Sequence, residues 1–110
     1  MSFALTEEQI LNKTKFVTRR NGWDKLMPGD LIQPVRKCMG LKKGEKQVLL
    51  GSPIKVVAIS SRKLHQISKA DLILEGFPNM TPEEFIDMYC KANKCTRNKR
   101  VNRIQFVYTD

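Results

Sequence analysis

Ile54-Lys55-Val56-Val57-Ala58-Ile59-Ser60 is the stretch of this 110-residue chain that reads most clearly as a buried strand. It is a short apolar run of strand length, the pattern of a strand inside a sheet. A second strand signal closes the chain. In residues 101–108, Ile104, Phe106 and Tyr108 alternate with Arg103, Gln105 and Val107. Period-2 alternation predicts a half-buried final strand.

Working outward, Met27-Pro28-Gly29-Asp30 is a turn signal. It should lead into a strand over residues 30–35, where Pro34 argues for an edge or a bulge. Residues 15–20 contain β-branched Val17 and Thr18 and predict another strand. Residues 40–44 read as a basic loop and residues 47–50 as a short strand.

Three helices fit between them. Thr6-Glu7-Glu8-Gln9 has the form of a capping box opening a helix through Leu11. Glu7 and Glu8 in that first turn suit the helix dipole. Residues 68–74 predict a second helix, with Gly76 as its C-cap. Thr81-Pro82-Glu83-Glu84 is a further capping box with proline at the first helical position, starting a helix to about Asn93. Phe85, Ile86, Met88 and Tyr89 give it an apolar face. The sum is an α+β domain, 1–110, of about five or six short strands and two or three short helices. The turn spacing suits a small barrel with helices plugging its ends or side.

Charge narrows the partners. Lysine and arginine number 20 against 11 acidic residues, a formal charge of +9. That excess favours a polyanion, nucleic acid first, over a merely basic soluble surface. Lys91, Lys94, Arg97, Lys99, Arg100 and Arg103 stand in a segment without one acid. Such a cluster repels itself unless something neutralises it, and phosphate contact is the expected remedy. Residues 1–11 lack the pattern of a signal peptide, and no apolar run is long enough for a membrane span. A cytoplasmic protein with no membrane partner is expected. Cys38, Cys90 and Cys95 have no metal-binding spacing, and His65 is the only histidine. Reduced structural thiols, with no metal and no cofactor, are the expectation.

Several segments together resemble the ASCH family of the PUA-like superfamily. In residues 10–20, a helix end leads to Lys15, then Thr18, then Arg20. The family motif has a lysine, an acidic residue or threonine, and an arginine at that spacing. Lys13 stands where the family has glycine two residues before the lysine. The turn Leu26-Met27-Pro28-Gly29-Asp30-Leu31 and the segment Ala70-Asp71-Leu72-Ile73-Leu74-Glu75-Gly76-Phe77, followed by residues 80–85, match in order. The closing strand from Val101 to Phe106 also fits. The likeness runs over residues 5–108, while residues 37–50 match nothing.

The resemblance implies a PUA-like barrel with a cleft beside the first motif. It implies an RNA-binding role, or binding of a modified nucleoside. Some small bacterial members are amidohydrolases that deacetylate N4-acetylcytidine. In them the lysine, threonine and glutamate matching Lys15, Thr18 and Glu75 form the implied catalytic set.

The chemistry of that set is coherent. A threonine hydroxyl is a weak nucleophile until a base takes its proton. A lysine serves only when neutral, and burial or nearby cations, here Arg19 and Arg20, lower its pKa from about 10.4. Glu75 is the candidate to protonate the leaving nitrogen or to position water. Arg20 or backbone N–H groups are candidates for the oxyanion. Thr18 and Arg20, two apart, share a strand face. Lys15 reaches that face only if the chain bends before Thr18, so the strand proper should begin at about Phe16 or Val17. Taken singly, Thr18 reads as an ordinary strand residue, Lys15 and Arg20 as surface charges, and Glu75 as a helix-end carboxylate.

Arg19, Arg20, Trp23, Lys94, Arg97, Lys99, Arg100 and Arg103 are the candidates for substrate or RNA contact. Trp23 reads first as a core anchor, and otherwise, with Phe77, as a surface on which a base stacks. Three functions remain open: a domain binding RNA or a modified nucleoside, an amidohydrolase, and a small protein-interaction or inhibitor domain.

Overall fold

A computed structural model describes residues 1–37 and 43–110. The elements run α1 (Glu7–Leu11), β1 (Val17–Arg20), β2 (Leu31–Ile32), β3 (Ile54–Lys63), a 3₁₀ turn (Leu64–Gln66), α2 (Lys69–Glu75), α3 (Pro82–Asn93) and β4 (Arg100–Tyr108). The four strands form one antiparallel sheet in the order β1-β4-β3-β2, curved into a half-barrel.

The two strands expected at residues 54–60 and 101–108 both form, and their pairing is the spine of this sheet. β3 and β4 are aligned from Ile54 opposite Tyr108 to Lys63 opposite Arg100. The register slips between Val56 and Ala58. That bulge re-phases β3, so Val56, opposite Phe106, and Ile59, opposite Ile104, both face the same core although three residues apart. Val57 is left 39% exposed, so the run is half-buried rather than enclosed.

β4 serves two cores on opposite faces. Ile104 and Phe106 pack with Phe3, Ile10, Ile54 and Val56. Val101, of the other parity, packs with Leu64, Leu72, Phe85, Ile86 and Tyr89 from beneath α2 and α3.

Residues 47–50 do not form a strand. A single bridge joins Leu49 to Val35, and another joins Val35 to Ser2. Pro34 has no N–H to extend the ladder, but its carbonyl accepts from Leu50 N at 3.0 Å. β2 is correspondingly short. Residues 40–42 of the expected basic loop, together with Cys38, lie outside the described residues; Cys90 and Cys95 are half-buried free thiols.

Helix ends follow local chemistry with one exception. Thr81 and Glu84 exchange both bonds of the capping box, and Pro82 opens α3. Ser68 Oγ accepts from Asp71 N, and left-handed Gly76 closes α2. At Thr6 no side-chain cap bond forms. Its amide donates to Phe3 O instead, and its ψ of 31° departs from the extended cap geometry while the side chain turns inward.

Two left-handed residues shape the segment around the motif. Lys13 has φ 59°, the conformation a glycine adopts without strain. Gly76 has φ 97°, and a Cβ there would meet Gln9 Cγ at 2.9 Å. Gly76→Ala is therefore expected to destabilise the fold by about 1–3 kcal/mol. Urea unfolding checks this; an unchanged midpoint would contradict it.

Candidate functional site

Lys15 sits in the bend between α1 and β1. Its neighbours are fixed by backbone bonds: Thr14 N to Gln9 O at 2.9 Å and Phe16 N to Leu74 O at 2.7 Å. Tyr108 Oη donates to Lys15 O at 2.6 Å. β1 then begins at Val17, as the geometry of the motif requires. This bend lets residues 15 and 18 reach one cavity of about 210 Å³, together with Arg19, Arg20, Glu75 and Phe77. Ser2, Phe3 and Thr6 border it on one side, and Met88, Tyr89 and Asn93 of α3 on the other.

The charges within it are buried. Lys15, Thr18 and Glu75 are each at most 3% exposed. Lys15 Nζ donates to Glu75 Oε1 at 3.1 Å and to the Glu75 carbonyl at 2.7 Å. Arg19 Nη1 donates to Glu75 Oε2 at 2.9 Å. Both carboxylate oxygens of Glu75 are thus held by cations. Arg20 Nε donates to Thr18 Oγ1 at 3.0 Å, which leaves the hydroxyl proton to be directed elsewhere.

Burial pushes the Lys15 ammonium below its ordinary pKa. Glu75 opposes that shift, and the charges of Arg20 and Arg19 reinforce it. The Lys15 ammonium also lies 5.9 Å from the Phe77 ring centre.

A second carboxylate, Asp71, extends this network. It stands one helical turn before Glu75, on the same side of α2. Arg103 grips it with two bonds, Nε to Oδ2 at 2.7 Å and Nη2 to Oδ1 at 3.0 Å. Arg19 Nη2 reaches Oδ2 at 2.6 Å. The register explains the convergence, since Arg19 and Arg103 are cross-strand partners on one face. The Arg103 fork, and then Arg19, hold the Asp71 carboxyl at about 2.

Its stabilising contribution is therefore present above the ordinary carboxylate range and lost as pH falls through about 2. Asp71→Asn is expected to lower stability clearly at pH 7, with the gap to the wild type closing towards pH 2. Urea unfolding at several pH values measures this; a gap independent of pH would contradict it.

The remaining candidates are distributed differently. Arg19 is not a rim contact, because its side chain is enclosed between Glu75 and Asp71. Trp23 is 43% exposed, so it is no core anchor, and it does not line the cavity. Its loop is tied to β4 by Asn102 Nδ2, which donates to Gly22 O and to Asp24 Oδ1. Arg97 is clamped by Glu83 with bonds of 2.8 and 3.1 Å. Lys94, Lys99 and Arg100 are exposed and away from the cavity. The acid-free segment thus finds part of its compensation in acids distant in sequence.

Reasoning from the sequence missed Asp71 and Tyr89. The i, i+4 spacing from Asp71 to Glu75 and the apolar face of α3 were the available signals. Tyr89 Oη donates to Asn21 Oδ1 at 2.8 Å, bracing α3 against the end of β1. Among the described residues, no group of three or more His, Cys, Asp or Glu side chains is placed to hold a metal ion. No helix among them is long and apolar enough to cross a membrane. Comparison of the chain with protein-family models, curated proteins and solved structures finds no match in any of the three.

Proposed function

We propose that this is an ASCH-type, PUA-like domain whose cavity takes a modified nucleoside, and that Lys15, Thr18 and Glu75 hydrolyse the N4-acyl amide of an acylated cytidine. The observation that carries the reading is the gathering of a buried lysine of lowered pKa, a buried threonine hydroxyl and a buried carboxylate around one small cavity. Buried charged groups of this kind concentrate at functional sites. The bridged segments at Ser2, Val35 and Leu49 are where further strands of a five- or six-stranded barrel would lie.

In the proposed reaction neutral Lys15 takes the Thr18 proton as Oγ1 attacks the acyl carbon. Arg20, already within hydrogen-bond distance of Oγ1, is positioned to stabilise the oxyanion. The C–N bond breaks, and the N4 nitrogen leaves as the free amine of cytidine after taking a proton relayed through Lys15 and Glu75. Water then releases the acyl group from Thr18 as the carboxylic acid.

A second reading keeps the cavity as a recognition site for RNA or a nucleoside without turnover. The exposed cations Lys94, Lys99 and Arg100 favour it, since among the described residues none has an acid clamp like those that hold Arg97 and Arg103. Both readings include a cytoplasmic location.

The test is Thr18→Val against Thr18→Ser. Valine keeps the shape and removes the hydroxyl. It should bind N4-acetylcytidine in calorimetry yet lose turnover, whereas serine retains it. Equal turnover in valine and wild type would remove Thr18 as nucleophile.

A further inference from the structure

A second concavity lies across Arg19 from the first. It has a volume of about 410 Å³ and is bordered by Arg62, Lys63, Gln66, Ser68 and Arg103, with Asp71 as its carboxylate. Arg19 lines both cavities. Glu75 and Asp71 answer Arg19, and Asp71 answers Arg103, which leaves Arg62 and Lys63 without an acid partner among the described residues.

Two further observations bear on this site. Arg19 Nε is the buried side-chain polar atom without a hydrogen-bond partner among the described residues, on a side chain only 4% exposed. An orphaned buried donor of a charged group is costly. Lys63 also stands directly opposite Arg100 in the β3–β4 register. Like charges paired across strands destabilise a sheet unless an anion lies between them.

We infer that this concavity is a phosphate-binding site, and that it takes a backbone phosphate of single-stranded RNA. A phosphate offers several acceptor oxygens to converging guanidinium and ammonium donors, with bidentate contact from arginine. Arg62 and Lys63 supply the exposed charge, and Gln66 and Ser68 supply neutral donors. The basic strip continues to Arg100 across the register, so more than one phosphate of a strand is met. The RNA source, though not the phosphate site, rests on the reading of the first cavity as a nucleoside site.

The experiment follows the Arg Nε–Hε signals of the full chain by NMR. It uses inorganic phosphate, a short single-stranded RNA, and an oligoglutamate peptide. Phosphate should move the Arg62, Arg103 and Arg19 signals saturably, and RNA should move the same signals at lower concentration. Arg62→Gln/Lys63→Gln should weaken RNA binding and reduce the log–log salt slope by about 1–2.

Three results would overturn the proposal. The first is phosphate leaving these signals still, or moving exposed lysines and arginines uniformly, as a diffuse ion atmosphere does. The second is RNA failing to bind where phosphate binds. The third is oligoglutamate binding as tightly as RNA, which would make the site a peptide surface. Turnover of free N4-acetylcytidine, measured on the same double variant, reports on the first cavity alone and separates the two proposals.

Discussion

Glu75→Ala is expected to destabilise the protein by about 3–5 kcal/mol, because it leaves two buried cations without their shared carboxylate. Lys15 and Arg19 each hold one oxygen of Glu75, and neither side chain is more than 4% exposed. The loss is limited by two features. Lys15 keeps its bond to the backbone carbonyl of residue 75, and Arg19 keeps Asp71. Lys15 also escapes part of the cost by releasing its proton, since burial already lowers its pKa. Even so, single domains of this size have only about 5–15 kcal/mol in total. Glu75→Gln, which preserves shape and one acceptor, should lose less. Denaturant unfolding gives both values. A change below about 1 kcal/mol for alanine would show that the ion pairs contribute little to stability.

The second large effect is on turnover. Lys15→Met should reduce hydrolysis of N4-acetylcytidine by roughly 10²–10⁴-fold, the usual contribution of a positioned general base. Methionine fills similar space, so the fold is expected to persist and binding to survive. In the wild type, the rate should rise with pH as Lys15 loses its proton. Burial and the two arginines lower that pKa, so the rise falls below the ordinary lysine value of about 10.4. The direction of a further change follows. Arg20→Gln removes a cation that disfavours protonated Lys15, so the limb should move to higher pH. A limb unmoved in that variant would assign the titration to another group.

The parts of the fold legible in the sequence were those written in local chemistry. The Thr81 box, the Gly76 cap and the alternation through Ile104 and Phe106 each depend on residues within a few positions. The Thr6 box has the same letters, yet its amide is drawn to Phe3 by the packing of the N-terminal segment. The bulge at Val57 answers to β4, not to its own neighbours. Strand 47–50 shrank to a bridge because its partner carries Pro34.

The site divides the same way. The gathering of Lys15, Thr18 and Glu75 was anticipated through a family resemblance, with the bend before Val17 deduced from strand parity. Asp71 was not, although its i, i+4 relation to Glu75 was in view. Charge segregation along the chain also misled. Arg97 meets Glu83 and Arg103 meets Asp71 only after α2, α3 and β4 converge. Lys13 carries a positive φ, a conformation that costs a lysine local strain and that its neighbours in sequence do not announce.

The most direct measurement is chromatographic and mass-spectrometric analysis of N4-acetylcytidine incubated with the purified wild-type chain. The account predicts equimolar cytidine and acetate, strongly reduced in Lys15→Met and lost in Thr18→Val. Intact substrate after prolonged incubation with folded protein would contradict it and leave the cavity as a recognition site.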